Sequence, residues 1–236
     1  MIPKAQRTVG IIQPNYLPWR GYFGFIAEVD FFVFLDDVQY TRRDWRNRNR
    51  IRLPSGQSKW ITVPVHSAQL GTKINEIQID NSKDWAANHL TQLRQNYRRT
   101  DGFDGFFPWL EAALSAPHDC LSALDISLTE GISRKLGIKT EFLIASDLDA
   151  PGSREDHLIS LCEKVGATRY LSGPAALSYL EPQKWEDAGI ELAIKDYSNY
   201  PPYPQIAEPF EPAMSIVDLI FMTGDNASSY IPALCK

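Results

Sequence analysis

Five arginines, two asparagines and two aromatic residues fall within eleven positions, Tyr40 to Arg50. An arginine side chain is a planar fork of donors that matches a phosphate or a carboxylate. Asparagine orients polar ligands, and tryptophan stacks on them. Arg43, Arg46 and Arg48 are therefore candidate anion binders, with Trp45, Asn47 and the preceding Gln39 beside them. The competing reading is a solvated basic loop that makes surface ion pairs. Just ahead of the cluster stand Asp36 and Asp37. Two adjacent residues at a strand end cannot both point inward, so one would face a site and the other would cap the next turn. Such a pair can bind Mg²⁺ together with a phosphate, and ordinary acidic turns have the same appearance.

His157 opens a helical stretch and has the chemistry of a general base, as does Asp37. A capping or surface histidine is the alternative. His66 is a similar case, and His89 and His118 read as surface residues. Gln13, Asn15, Tyr16 and Trp19 share one proline-rich loop and can orient sugar hydroxyls or stack on a ring. Ser172 and Gly173 offer a hydroxyl and an unhindered amide. Tyr203, with Tyr200 and Gln205, can wall a pocket or simply pack an ordered loop.

Several familiar mechanisms lack their residues. There is no Gly-x-Ser-x-Gly elbow, no Walker loop and no dinucleotide glycine fingerprint. Cys120, Cys162 and Cys235 are far apart and have no zinc spacing. Cys162 reads as a buried structural thiol, and unpaired cysteines suggest a reducing cytoplasm. The net charge of −5 argues against general nucleic-acid binding. No run approaches the roughly 18 apolar residues of a membrane helix, and Met1 to Thr8 is too short and polar for a signal peptide. Hydrophobic content of 44% is that of a globular chain.

These residues need elements to hold them. Thr8–Ile12 and Val29–Leu35 read as strands, joined by a loop and a helix from about Trp19 or Gly21 to Glu28. The strands should be parallel with a right-handed crossover. The Gln13–Gly21 loop and the Asp36–Arg50 segment would then leave the same C-terminal sheet edge, where α/β sheets place their sites. Asn49–Leu53 and Lys59–Val65 flank a turn and predict a hairpin. Ile74–Ile79 alternates like a strand. Helices are expected over 83–97, 108–115, 119–136 and 154–165, with Asp101–Phe107 as a turn. Strands follow at 140–145, 169–171 and 190–194, and a helix at 215–222. The sum is a single α/β domain over 1–236. Its core is a Rossmann-like, mostly parallel sheet at about 7–65 and 138–236. It carries an inserted β-hairpin and a mostly helical insertion at about 80–137.

Three stretches together resemble the WbqC-like family of bacterial proteins. They are Gln13-Pro14-Asn15-Tyr16-Leu17-Pro18-Trp19 with Gly21-Tyr22, Phe34 to Tyr40 running on to Asp44-Trp45-Arg46-Asn47-Arg48, and Tyr170-Leu171-Ser172-Gly173-Pro174. Tyr203-Pro204-Gln205 with Ser215 to Leu219 fits the family's C-terminal end. The resemblance implies a part in O-antigen or other surface-polysaccharide biosynthesis, with a transferase role. A second resemblance is to nucleotidyltransferase-like α/β folds, although Tyr22 stands where their loop signature has histidine. Three functions follow as expectations. The first is acyl or aminoacyl transfer to an amino sugar bearing a phosphate, from a CoA or carrier-protein thioester, with a nucleotide sugar as one form of the substrate. The second is Mg²⁺-dependent nucleotidyl transfer. The third is ligand binding without turnover.

Overall fold

The computed structural model describes residues 6–235. Met1 to Ala5, part of the stretch tested above for a signal peptide, lie outside the described residues. The chain opens with β1 (Thr8–Ile12), α1 (Arg20–Ile26) and β2 (Phe31–Phe34). A hairpin of β3 (Arg48–Arg52) and β4 (Ser58–Thr62) follows. Next come α2 (Trp85–Tyr97), α3 (Phe103–Ser115) and α4 (Leu121–Lys135). The chain then returns through β5 (Glu141–Ile144), α5 (Glu155–Lys164), β6 (Arg169–Ser172), α6 (Pro182–Asp187), β7 (Glu191–Ile194) and α7 (Ile216–Thr223).

The five strands β1, β2, β5, β6 and β7 form one parallel sheet in the order β5-β2-β1-β6-β7. This is the Rossmann-like architecture that the alternation of strands and helices predicts. Strand order reverses between β1 and β6, so their C-terminal ends bound the crevice where such sheets bind ligands.

Side-chain alternation divides the core between the two faces of the sheet. Val9, Ile11, Val33 and Tyr170 pack with Leu158, Leu161, Cys162 and Trp185 of α5 and α6. Phe32, Phe34 and Leu171 point the other way, into a cluster continuous with α1, the hairpin and α2, α3, α4 and α7. Cys162 is fully buried, as its place in the apolar stripe predicts. Gly10 lies where α1 crosses β1. A Cβ there would sit 2.3 Å from the Phe25 ring, so only glycine permits this approach.

Two local expectations are corrected. Ile74–Ile79 is not a strand; it contains a single tight turn, Ile74–Glu76. The Glu76 carboxylate accepts the Lys73 amide at 2.7 Å and closes that turn. Ile74, Ile77 and Ile79 still reach the core. The Asp101–Phe107 turn gives way at Phe103, where α3 starts, with Pro108 inside the helix. Phe106, Phe107, Leu110 and Leu114 are spaced to bury one helical face. Phe103, Phe106 and Phe107 all lie against the ring of Phe221 in α7. That burial outweighs the hydrogen bond proline forfeits.

Substituting Gly10→Ala is expected to destabilise the fold by about 1–3 kcal/mol, the usual cost of overpacking. Urea denaturation followed by circular dichroism measures it, and an unchanged midpoint would contradict the close approach of α1.

Candidate functional site

The loop after β1 contains Pro14 and Pro18, which prevent a regular element there. It is held instead by the segment that enters β3. The Arg46 guanidinium donates to Asn15 Oδ1 and to Gln13 Oε1, both at 2.7 Å. The Tyr16 amide donates to the Trp45 carbonyl at 3.0 Å. The Asn49 amide donates to the Leu17 carbonyl at 2.8 Å. Arg46 is 11% exposed, and its nearest carboxylate, Asp44, is 3.6 Å away. A cavity of about 250 Å³ opens here, lined by Asn15, Pro18, Trp19, Tyr22, Trp45 and Asn49. It combines aromatic walls with the Asn15 and Asn49 side chains past the C-terminal end of β1, and the Arg46 guanidinium touches this lining through its hydrogen bond to Asn15.

Behind the Tyr22 wall lies a carboxylate that sequence reasoning missed. Asp125 of α4 is fully buried, and among the described residues neither oxygen has a hydrogen-bond partner. Thr129 and Ser133, one and two turns further along α4, are also fully buried, and their hydroxyls have no partner among the described residues. Burial holds the Asp125 carboxyl well above the usual carboxylate range, while Arg46 pulls it back. Asp125 in turn raises the phenols of Tyr16, Tyr22 and Tyr40, on top of their own burial. The signal for this group was in the sequence: polar residues at 125, 129 and 133 recur every four positions, in step with the buried Leu121, Leu124, Leu128 and Ile132 of the same helix.

The two carboxylates after β2 do not converge. Asp36 accepts the Ser146 amide at 3.0 Å and its hydroxyl at 2.8 Å, which caps the turn after β5. Asp37 instead faces His157, whose Nε2 lies 3.0 Å from Oδ2. His157 is buried, and its buried Nδ1 has no hydrogen-bond partner among the described residues. The ring sits in the first turn of α5. That helix is entered through Gly152 and Arg154, both with positive φ. The pair fronts a separate cavity of about 570 Å³, lined by Leu35, Val38, Arg154, His157 and Lys184 among others. Among the described residues, no group of three or more His, Cys, Asp and Glu is placed to hold a metal ion.

The other predicted site residues are dispersed. Asn47 is buried, and its amide donates to the Val63 carbonyl at 2.8 Å. Arg43 is exposed with φ of 56°, and its carbonyl accepts from Arg48. Arg48 lies over the Trp60 ring, 4.2 Å from its centroid. Gln39 is exposed and bridges to Lys73. Tyr16 is fully buried, with its hydroxyl 3.0 Å from His89 Nδ1. His89, expected at the surface, is therefore corrected: it is 4% exposed, and burial lowers its pKa to about 4. Ser172 is buried under α6 with its hydroxyl 3.4 Å from that of Tyr170, and Gly173 begins the short turn Pro174–Ser178. Tyr203 is buried and donates to Asp218 at 2.7 Å, so it fastens the late loop to α7. Arg20, also buried, donates to the Pro201 carbonyl at 2.5 Å and lies against Tyr200 and Tyr203.

A model of the WbqC-like protein family matches residues 13–230. An uncharacterized protein of Mycobacterium tuberculosis is 41% identical over 227 residues, covering 95% of this chain and 97% of the relative. No solved structure matches the chain.

Asp125 has a folded-state pKa above its unfolded value of about 3.9, so the folded chain holds this proton more tightly. Its contribution to stability therefore falls as pH rises above about 4. Asp125→Asn is expected to be more stable than the parent at pH 8, with the gap closing toward pH 4. Guanidinium denaturation across that range tests this, and a gap that widens on acidification would contradict it.

Proposed function

The chain belongs to the WbqC-like protein family, and on that footing we propose that it transfers an acyl or aminoacyl group to the amine of a phosphate-bearing amino sugar. Family membership suggests a role in polysaccharide biosynthesis, and the proposed reaction is one that decorates such a polymer's building blocks. The donor in this reading is a CoA or carrier-protein thioester. The single observation that carries the reading is the Arg46 fork. Its guanidinium is nearly buried, fixed by Gln13 and Asn15, with the Asp44 carboxylate 3.6 Å away. An oriented, partly desolvated guanidinium binds a phosphate or carboxylate more strongly than an exposed one. The aromatic walls of Trp19, Tyr22 and Trp45 suit a sugar ring, and the amides of Asn15 and Asn49 suit its hydroxyls.

Transfer requires the amine to lose a proton as it attacks the thioester carbonyl, with thiolate departing. His157 with Asp37 fits that role. The Asp37 carboxylate holds Nε2–H, which leaves Nδ1 able to accept the proton. Both clusters gather segments that leave the C-terminal edge of the sheet: Arg46, after β2, meets the loop after β1, and His157, in α5 after β5, meets Asp37 just after β2.

Arg46→Gln is expected to weaken binding of glucosamine 1-phosphate roughly ten- to a hundred-fold, the loss of a charge-assisted contact worth about 1.5–3 kcal/mol. Calorimetric titration measures this, and an unchanged affinity would remove Arg46 from the site. His157→Gln is expected to lower kcat by about 10²–10⁴ without lowering the melting temperature. Full turnover in that variant would exclude His157 as the base.

A further inference from the structure

The β3–β4 hairpin has two unlike faces. Asn49, Ile51 and Ile61 point inward and are buried. The outward face carries Arg48 and Arg50 on β3, with Trp60 directly across from Arg50 on β4. Trp45, just before the hairpin, completes this face. Its ring lies 5.3 Å from that of Trp60 at 40°, and the two residues are 40% and 41% exposed. The Arg50 guanidinium is 5.7 Å from the Trp60 centroid and 5.9 Å from that of Trp45. Arg48 lies closer over Trp60, at 4.2 Å. The result is a ladder of indole rings and guanidiniums on the outside of an acidic protein. Cation–π contacts hold the arginines in place. A guanidinium has five donors, and few here are used. Arg48 donates to the Arg43 carbonyl and Arg50 has Glu211 at 3.8 Å; the Nε atoms of both are buried, so the terminal nitrogens are the donors a ligand would meet.

The ladder is continuous with the candidate site, because Trp45 also lines the Arg46 cavity. That cavity, at about 250 Å³, is below the 300 Å³ at which sites for whole drug-sized ligands begin. It suits a sugar ring with its phosphate, and Trp45 is the wall that it shares with the ladder. We propose that the outer face of the hairpin binds the nucleoside diphosphate of a nucleotide-linked sugar whose sugar occupies the Arg46 cavity. The base stacks on the indole rings, as bases do on aromatic platforms. The phosphate next to the nucleoside meets Arg48 and Arg50, and the phosphate next to the sugar is the one that the cavity takes. Arg50 has Glu211 at 3.8 Å, but Arg48 has no carboxylate within 4 Å among the described residues, and a neutral oligosaccharide would leave it so, which is why the ladder fits a nucleotide better than a glycan. This inference rests on the reading of the Arg46 cavity as a sugar phosphate site.

The test uses the full chain and calorimetric titration with three kinds of probe. These are the diphosphates of uridine, thymidine, guanosine, adenosine and cytidine, each alone; glucosamine 1-phosphate; and a neutral dextran oligosaccharide. At least one nucleoside diphosphate is expected to bind. Trp60→Ala should weaken it about ten-fold or more while leaving glucosamine 1-phosphate unchanged, and Trp60→Phe should restore most of the loss. Trp60 is exposed, and an unaltered melting temperature will show that the fold survives. Binding of glucosamine 1-phosphate without any nucleoside diphosphate overturns the inference alone. So does a Trp60→Ala variant that weakens both ligands alike or neither, or dextran binding that depends on Trp60 in place of nucleotide binding. Nucleotide binding that depends on Trp60 but comes without affinity for glucosamine 1-phosphate keeps the hairpin subsite and overturns the Arg46 reading. Binding of none of the probes overturns both.

Discussion

The bidentate contact from Arg46 to Gln13 and Asn15 joins two segments that have no reason of their own to meet. One is an irregular loop at the end of a core strand. The other is the entry to a hairpin that is not part of that sheet. A loop with two prolines offers few backbone donors, so it cannot be fixed by a ladder of its own. The guanidinium supplies a rigid fork instead, and the backbone bond from Tyr16 to Trp45 and the Asn49 contact to Leu17 lock the register. Ser215 ties in the C-terminal segment: its amide donates to the Arg50 carbonyl and its hydroxyl to the Leu17 carbonyl. The cavity, its aromatic walls and the approach to the hairpin all follow from this junction.

Two buried aspartates show how differently the chain treats the same group. Asp218 has its oxygens taken by Tyr97 at 2.5 Å, Tyr203 at 2.7 Å and Gln205 at 3.1 Å. It is a structural clamp that fastens the late loop and α2 to α7. Asp125 has no such partners, and burial alone dominates its protonation. A buried carboxylate without partners is costly, and the clamp at Asp218 shows that this chain can satisfy one when only structure is at stake. Asp125 sits beside the tyrosines that back the Arg46 cavity, which places its electrostatic influence at the candidate site.

The site divides between two strands of the sheet. The loop after β1 lines the aromatic cavity and holds the Arg46 guanidinium, which comes from the segment between β2 and β3, and Asp37, just after β2, meets His157 of α5. Asp36 and Asp37 part company because adjacent residues point in opposite directions. One is drawn to the Ser146 turn and the other to α5.

Hydrophobic alternation and turn residues, by themselves, determined the sheet strands, the hairpin and most helices, because burial of one face imposes a period that sequence displays directly. They also determined that the loop after β1 and the segment after β2 share one sheet edge, since parallel strands with a right-handed crossover leave no other place. They did not determine which side chains meet there. Asn47 and Arg46 are adjacent, yet one is spent on the Val63 carbonyl and the other faces the Gln13 loop. Asp125 lies 79 positions from Arg46 and enters its electrostatic field only because α4 packs behind Tyr22. Trp60 joins Trp45 only through the β3–β4 register. Local pattern is written by the period of a single element. Convergence of polar groups depends on how elements pack on one another, and that was decided only in the tertiary structure.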